Sequence, residues 1–297
     1  MGIGRALAGA VTEIAPGPPP IGELTTTFTP RAVVLDIDGT LIDAELFLHP
    51  RTRAAVRAAT QSLPVVLASG RMFQSAVPWA RELNVTEPLV CYQGALIRKL
   101  PIGDAPGRVI FEEGLDTAVA VTTIEIARAH GWHVQAYQDD ELYCEQDRPE
   151  AHLYAGIAQV PIRFVDDLAT LVINGTTKIV VVSEDPATID ACVATLREDL
   201  RDRARVTRSM EQFVEVVSLR VHKALAVQMV LERLGIPITD AVAVGDAPND
   251  TEMLVAAGCG VAVCSARPEV LAGADAVCAG PADAGVADVL EHFDLAG

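Results

Sequence analysis

The chain has 297 residues, half of them hydrophobic, with a formal net charge of −17 at pH 7. That length accommodates two domains and a sizeable core, whereas the acidic balance argues against a nucleic-acid surface. No apolar run approaches the ~18 residues that a membrane span needs. Residues 1–30 are rich in Pro, Gly and Thr, with Gly17-Pro18-Pro19-Pro20, and read as a flexible tail. Its one basic residue, Arg5, and a short Ala/Gly/Val run make a poor signal peptide.

Ala32-Val33-Val34-Leu35 has the length and composition of a buried parallel strand. It ends abruptly in Asp36-Ile37-Asp38-Gly39-Thr40. The two aspartates are two residues apart, so an extended backbone turns them to one face, and Gly39 permits a sharp turn behind them. A helix is expected over 52–62 and is ended by Pro64. A second short strand over 65–68 delivers Ser69-Gly70-Arg71 to the start of another helix that runs through 80–83. Ser69 there reads either as an ordinary N-cap or as a phosphate contact at a helix N-terminus. Residues 89–92 form a third strand, closing on Gln93-Gly94-Ala95.

From here the pattern changes. A helix over 113–131, a strand or hairpin over 133–145, a strand over 178–182, a helix over 188–200 and a strand over 213–217 read as an α+β unit. This unit, 97–216, is inserted into a parallel-sheet domain made of 31–96 and 217–297. Within it, Trp132, His133 and Tyr137 read as core, with one of them lining a pocket as the alternative, and Asp139-Asp140-Glu141 as an exposed turn. The first domain resumes with a helix over 221–234 that opens near His222-Lys223. A strand over 241–244 then ends in Gly245-Asp246-Ala247-Pro248-Asn249-Asp250. Strands over 260–263 and 274–277 and a helix over 286–293 complete it. The six cysteines, at 91, 144, 192, 259, 264 and 278, contain no CxxC pair. They are expected to be reduced thiols in a cytoplasmic protein.

Three strands therefore deliver polar residues at their C-terminal ends: Asp36 with Asp38, Ser69, and Asp246 with Asn249 and Asp250. Parallel strands point those ends the same way, so the three sets should meet at one sheet edge, where open α/β sheets place ligands. Carboxylates so close repel unless a cation or a proton relieves them. An oxygen-only donor set suits Mg²⁺ better than zinc. Taken alone, the stretch 32–40 also reads as a strand-to-loop turn with solvated acids. Lys223 alone reads as a solvated helix residue, His222 as packing, and Arg71 as a partner for a core carboxylate or a guide for phosphate.

Asp36-Ile37-Asp38-Gly39-Thr40-Leu41, Ser69-Gly70-Arg71, Lys223 and Gly245-Asp246 with Asn249-Asp250 resemble the four motifs of the haloacid dehalogenase superfamily. The Gly-Asp-x-x-Asn-Asp block and the position of the insert resemble its Cof-type phosphatases with a C2B cap. The resemblance spans about residues 31–292. It implies a Rossmann-like α/β core, with a parallel sheet flanked by helices, plus an α+β cap. It implies Asp36 as nucleophile and Asp38 as general acid and base. Ile37, through its amide, Ser69, Gly70, Lys223 and Asn249 are then phosphate contacts. Asp36, Asp246 and the Asp38 carbonyl are then Mg²⁺ ligands, supported by Asp250. The activity implied is Mg²⁺-dependent hydrolysis of small phosphorylated metabolites such as sugar phosphates, by a monomer or small homo-oligomer with no nucleic-acid or membrane partner. A phosphomutase and a low-turnover phosphometabolite-binding regulator are the alternatives. Gln93 stands where these phosphatases usually have Asn, Ala224 where they have Gly, and Ala247-Pro248 stiffens the loop before Asn249.

Overall fold

The computed structural model describes residues 17–297; the first sixteen residues of the expected tail lie outside the described residues. The central feature is a five-stranded parallel sheet. Its strands run in the order Ala276–Cys278, Cys259–Val263, Ala241–Gly245, Ala32–Leu35 and Val65–Leu67. All four residues of Ala32–Leu35 are buried. Val33 and Leu35 pack into one core cluster and Ala32 and Val34 into another, the period-two alternation of a strand covered on both faces. On one face lie the helices Pro50–Ala59, Phe73–Glu82 and Gly285–His292. On the other lie Lys223–Arg233 and Thr251–Ala256. Each Val or Leu side chain so buried contributes about 1.5–3 kcal/mol.

Leu89–Cys91 extends this sheet through one parallel bridge, Ala68 to Val90. It then pairs antiparallel with Leu96–Arg98, which pairs with Val109–Glu112. Residue 97, the expected start of the insert, thus falls inside this small sheet.

The insert holds a six-stranded sheet in the order Arg205–Met210, Phe213–Val217, Lys178–Val182, His133–Gln138, Glu141–Cys144 and Ile162–Phe164. Only the last pair is parallel. The helices Thr117–His130 and Pro186–Leu200 cover one face through residues such as Ile124 and Leu196. The other face carries Tyr137, Val180, Val182 and Phe213. These join the same apolar cluster as Leu35 and Ile37 of the parallel unit, so this face closes over the strand ends. The two connecting segments run side by side: the Glu113 carboxylate accepts from Ser218 Oγ at 3.3 Å and from Arg220 Nε at 2.8 Å.

The tail expectation fails for the described part of 17–30. Ile21 is buried, Pro20 bridges to Val277, and Phe28 meets Phe293 edge to face at 5.9 Å. Apolar side chains at 21 and 28 outweigh the local Pro and Gly content. Among the described residues no helix is long and apolar enough to cross a membrane.

Candidate active site

The ends of Ala32–Leu35 and Ala241–Gly245 are neighbours in the sheet, and this adjacency builds the site. Gly39 has φ +81°, and a Cβ there would run into the Asp246 carboxylate. The chain therefore needs glycine to turn and to let the two acidic loops approach. Ile37 anchors the turn: its side chain is buried, and its carbonyl accepts from Leu41 and Ile42 N–H at 2.9 and 3.0 Å. Gly245 serves the same close approach, because a Cβ there would overlap Asp250.

One carboxylate oxygen from each of Asp36, Asp246 and Asp250 lies within 4.8 Å of the others. Lys223, at the first turn of its helix and 1% exposed, reaches two of them. Its Nζ donates to Asp36 at 2.5 Å and to Asp250 at 2.6 Å. Asp250 also accepts from the Asp246 and Ala247 N–H groups at 3.2 and 3.1 Å, and Thr40 Oγ1 donates to Asp246 at 3.1 Å.

One lysine does not neutralise this cluster. Burial raises the pKa of Asp36 well above the carboxylate range, with Asp250, Asp246 and Asp38 adding to it and Lys223 opposing. Burial, then Asp250, pushes Asp246 up to about 7 against Lys223 and Thr40. Hard oxygen donors held together at this electrostatic cost fit a divalent hard cation.

Asp38 points elsewhere. Its carboxylate takes a two-point grip from Arg71, Nε at 2.7 Å and Nη2 at 2.5 Å. Arg71 also donates to Ser75 Oγ at 2.9 Å and to the Ile157 carbonyl at 3.4 Å. Of the two readings of Arg71, the structure shows the partner of a carboxylate. Ser69 is buried, and its Oγ accepts from Arg71 N–H at 3.1 Å; that bond leaves the hydroxyl proton for another acceptor. Asp36, Asp38, Ser69, Gly70 and Asn249 line one cleft. Lys223 touches it through Asp36. The Asn249 Nδ2 donates to Gln93 Oε1 at 2.7 Å, and its buried Oδ1 has no partner.

Three polar residues of the insert complete the site without having been read as site residues in the sequence. Glu215 lines the cleft, accepting from Gln93 Nε2 at 2.8 Å and from Lys178 Nζ at 3.1 Å. Lys178 also donates to the Gly70 carbonyl at 2.9 Å. Asp140 corrects the exposed-turn expectation. Its carboxylate accepts from Phe73 and Gln74 N–H, both at 2.8 Å, and from Tyr92 Oη at 2.7 Å. It thus caps, from the insert, a helix whose own N-cap residue Met72 offers no side-chain bond. A turn sequence shows local geometry and not what docks against it. For Glu215 and Lys178 the signal was a charge set within an apolar strand, in Phe-Val-Glu-Val-Val and Lys-Ile-Val-Val-Val.

Comparison with known proteins gives one consistent result. The model of the haloacid dehalogenase-like hydrolase family matches residues 33–290. The Bacillus subtilis protein YxeH, named as a candidate phosphatase, is 26% identical over 274 residues, covering 90% of this chain and 99% of its own. A Thermotoga maritima protein of known crystal structure is 33% identical with a TM-score of 0.74, covering 88% of this chain and 97% of its own. A haloacid dehalogenase-like hydrolase from Bacteroides thetaiotaomicron is 28% identical with a TM-score of 0.77, covering 88% and 98%.

Proposed function

The chain belongs to the haloacid dehalogenase-like hydrolases, and from that premise we propose that it is a Mg²⁺-dependent phosphatase of small phosphorylated metabolites such as sugar phosphates. The observation that carries this reading is the meeting of Asp36, Asp246 and Asp250 round Lys223, beside a cleft lined by Asp38 and Ser69. Asp36, Asp246 and the Asp38 main chain would hold the ion. When bound it supplies positive charge that keeps the Asp36 carboxylate ionised and stabilises charge on the phosphoryl oxygens.

Asp36 attacks phosphorus, forming an aspartyl phosphate as the bond to the leaving oxygen breaks. Asp38 gives its proton to that oxygen, releasing the alcohol. Ionised Asp38 then takes a proton from water as the water attacks phosphorus, and the bond to Asp36 breaks to give orthophosphate. Arg71 holds both Asp38 oxygens in this structure, so one of them leaves the guanidinium when it carries the proton. Ser69 Oγ, the Gly70 and Ile37 backbone, Lys223 and Asn249 hold the phosphoryl oxygens, and Asp250 holds Lys223 in place. Phosphoryl transfer depends mostly on such positioning and charge.

The test is phosphate release from a panel of phosphomonoesters, wild type beside Asp36→Asn, with and without Mg²⁺. Wild type is expected to release phosphate only with the metal, and Asp36→Asn to fall by about 10³-fold or more. Isomerised product without free phosphate would instead mark a phosphomutase. Tight binding without turnover, unchanged in Asp36→Asn, would mark a regulator.

A further inference from the structure

The turn Tyr92-Gln93 lies against the loop that carries Ser69 and is held in an uncommon shape. Tyr92 and Gln93 have φ of +52° and +61°, the left-handed region that residues other than glycine rarely occupy. Such backbone persists only where its surroundings enforce it. Here Tyr92 N–H donates to the Arg71 carbonyl at 3.0 Å and Gln93 N–H to the Ser69 carbonyl at 3.2 Å. A Cβ on Gly70 would run into the Gln93 side-chain amide. That amide is buried and bridges the two halves of the site. Its Nε2 donates to Glu215 of the insert at 2.8 Å, and its Oε1 accepts from Asn249 Nδ2 at 2.7 Å. The polarity of the bridge is set from the insert. The Glu215 carboxylate, paired with the Lys178 ammonium at 3.1 Å, accepts and does not donate. Gln93 therefore turns its N–H to Glu215 and its oxygen to Asn249, and Asn249 must answer with Nδ2.

Resting on the phosphatase reading, we infer that Gln93 is a positioning residue, which holds the Asn249 amide the one way round in which it donates to a phosphoryl oxygen. With one Nδ2 proton on Gln93, Asn249 keeps the second for the cleft that it lines. Turned over, Asn249 would set its Oδ1 against Gln93 Oε1, two buried acceptors with no proton between them. Gln93 cannot turn to relieve this, because its own oxygen would then face the Glu215 carboxylate. The orientation observed leaves Asn249 Oδ1 buried without a partner. An amide free to choose avoids that arrangement, so the bond to Gln93 is what enforces it. The insert thus reaches the phosphate end through two amides, and the hold on the phosphoryl group is complete only while Glu215 is seated on Gln93.

The experiment is a double-mutant cycle, read with Mg²⁺ by hydrolysis of p-nitrophenyl phosphate and by inhibition with orthovanadate. Gln93→Met keeps the length and the unbranched Cβ but has no amide to bridge with. It is expected to lower kcat/KM by roughly tenfold and to weaken orthovanadate inhibition by a similar factor. In the Asn249→Ala background the same substitution is expected to change both by less than about twofold, because the group it positions is gone. A packing role predicts the same loss in both backgrounds, and that result overturns the inference. So does a Gln93→Met enzyme as active as wild type. Both results leave the phosphatase reading intact. A wild type that releases no phosphate from p-nitrophenyl phosphate or from the phosphomonoester panel overturns that reading and this one with it. Where Gln93→Met does not fold, the wild type decides. With isotope-labelled glutamine, the Gln93 Nε2 resonance is expected to move when orthovanadate and Mg²⁺ bind, and an unmoved resonance overturns the inference.

Discussion

Lys223 keeps two buried carboxylates in register: burial pushes its pKa down, but Asp250 and Asp36 outweigh burial and hold it above the lysine range. Lys223→Met leaves Asp36 and Asp250 facing each other without a cation. Breaking a buried pair this way costs about 3–5 kcal/mol, and urea denaturation at pH 8 is expected to show a loss of that order. Asp246 gives a pH dependence. Its pKa rises on folding from 3.8 to about 7 in the metal-free protein. The native state therefore keeps a proton that the unfolded chain has already released, so this group lowers stability as pH rises from about 4 to 7. With chelator present, thermal unfolding is expected at a lower temperature at pH 8 than at pH 5.5 through this group and Asp36; the opposite order would refute it. The acids at strand ends were legible because each follows an apolar run, which fixes both their place and their company. Glu215 and Lys178 were not, because their partners Gln93 and Gly70 are 122 and 108 residues away. A charge inside an apolar strand announces that a partner exists without saying which.

At the scale of elements, the helix Phe73–Glu82 shows one segment completing another. Asp140 supplies its N-terminal acceptors from the far side of the cleft. Asp140→Ala is expected to cost about 1–2 kcal/mol in chemical denaturation, and to lower activity because the helix follows directly on Ser69-Gly70-Arg71. An unchanged midpoint would show that water replaces the carboxylate. The parallel strands were readable from sequence because burial on both faces leaves them uniformly apolar. Other elements were not. Pro149–Ala158 is apolar nearly all round, so no stripe marks it as helical. Ile162–Phe164 is only three residues long. Arg205–Met210 carries two arginines and reads as loop until the antiparallel pairing with Phe213–Val217 is seen.

For the whole molecule, the folded parallel unit is what holds Asp36, Asp246 and Asp250 together, so metal affinity and fold stability are linked. A ligand that binds only the native state adds about 2.7 kcal/mol at a hundred times its Kd. Adding Mg²⁺ is expected to raise the unfolding temperature, more at pH 8, above the value near 7 to which Asp246 is pushed, than at pH 5.5; calorimetry with Asp246→Asn, which should respond less, is the check. The Asp140 clamp carries one more consequence. Its carboxylate, carried by the insert, covers the amides of Phe73 and Gln74 in the parallel unit, so any separation of the two walls bares those amide protons to solvent. Deuterium uptake at those two amides thus reports how often the insert lifts from the parallel unit.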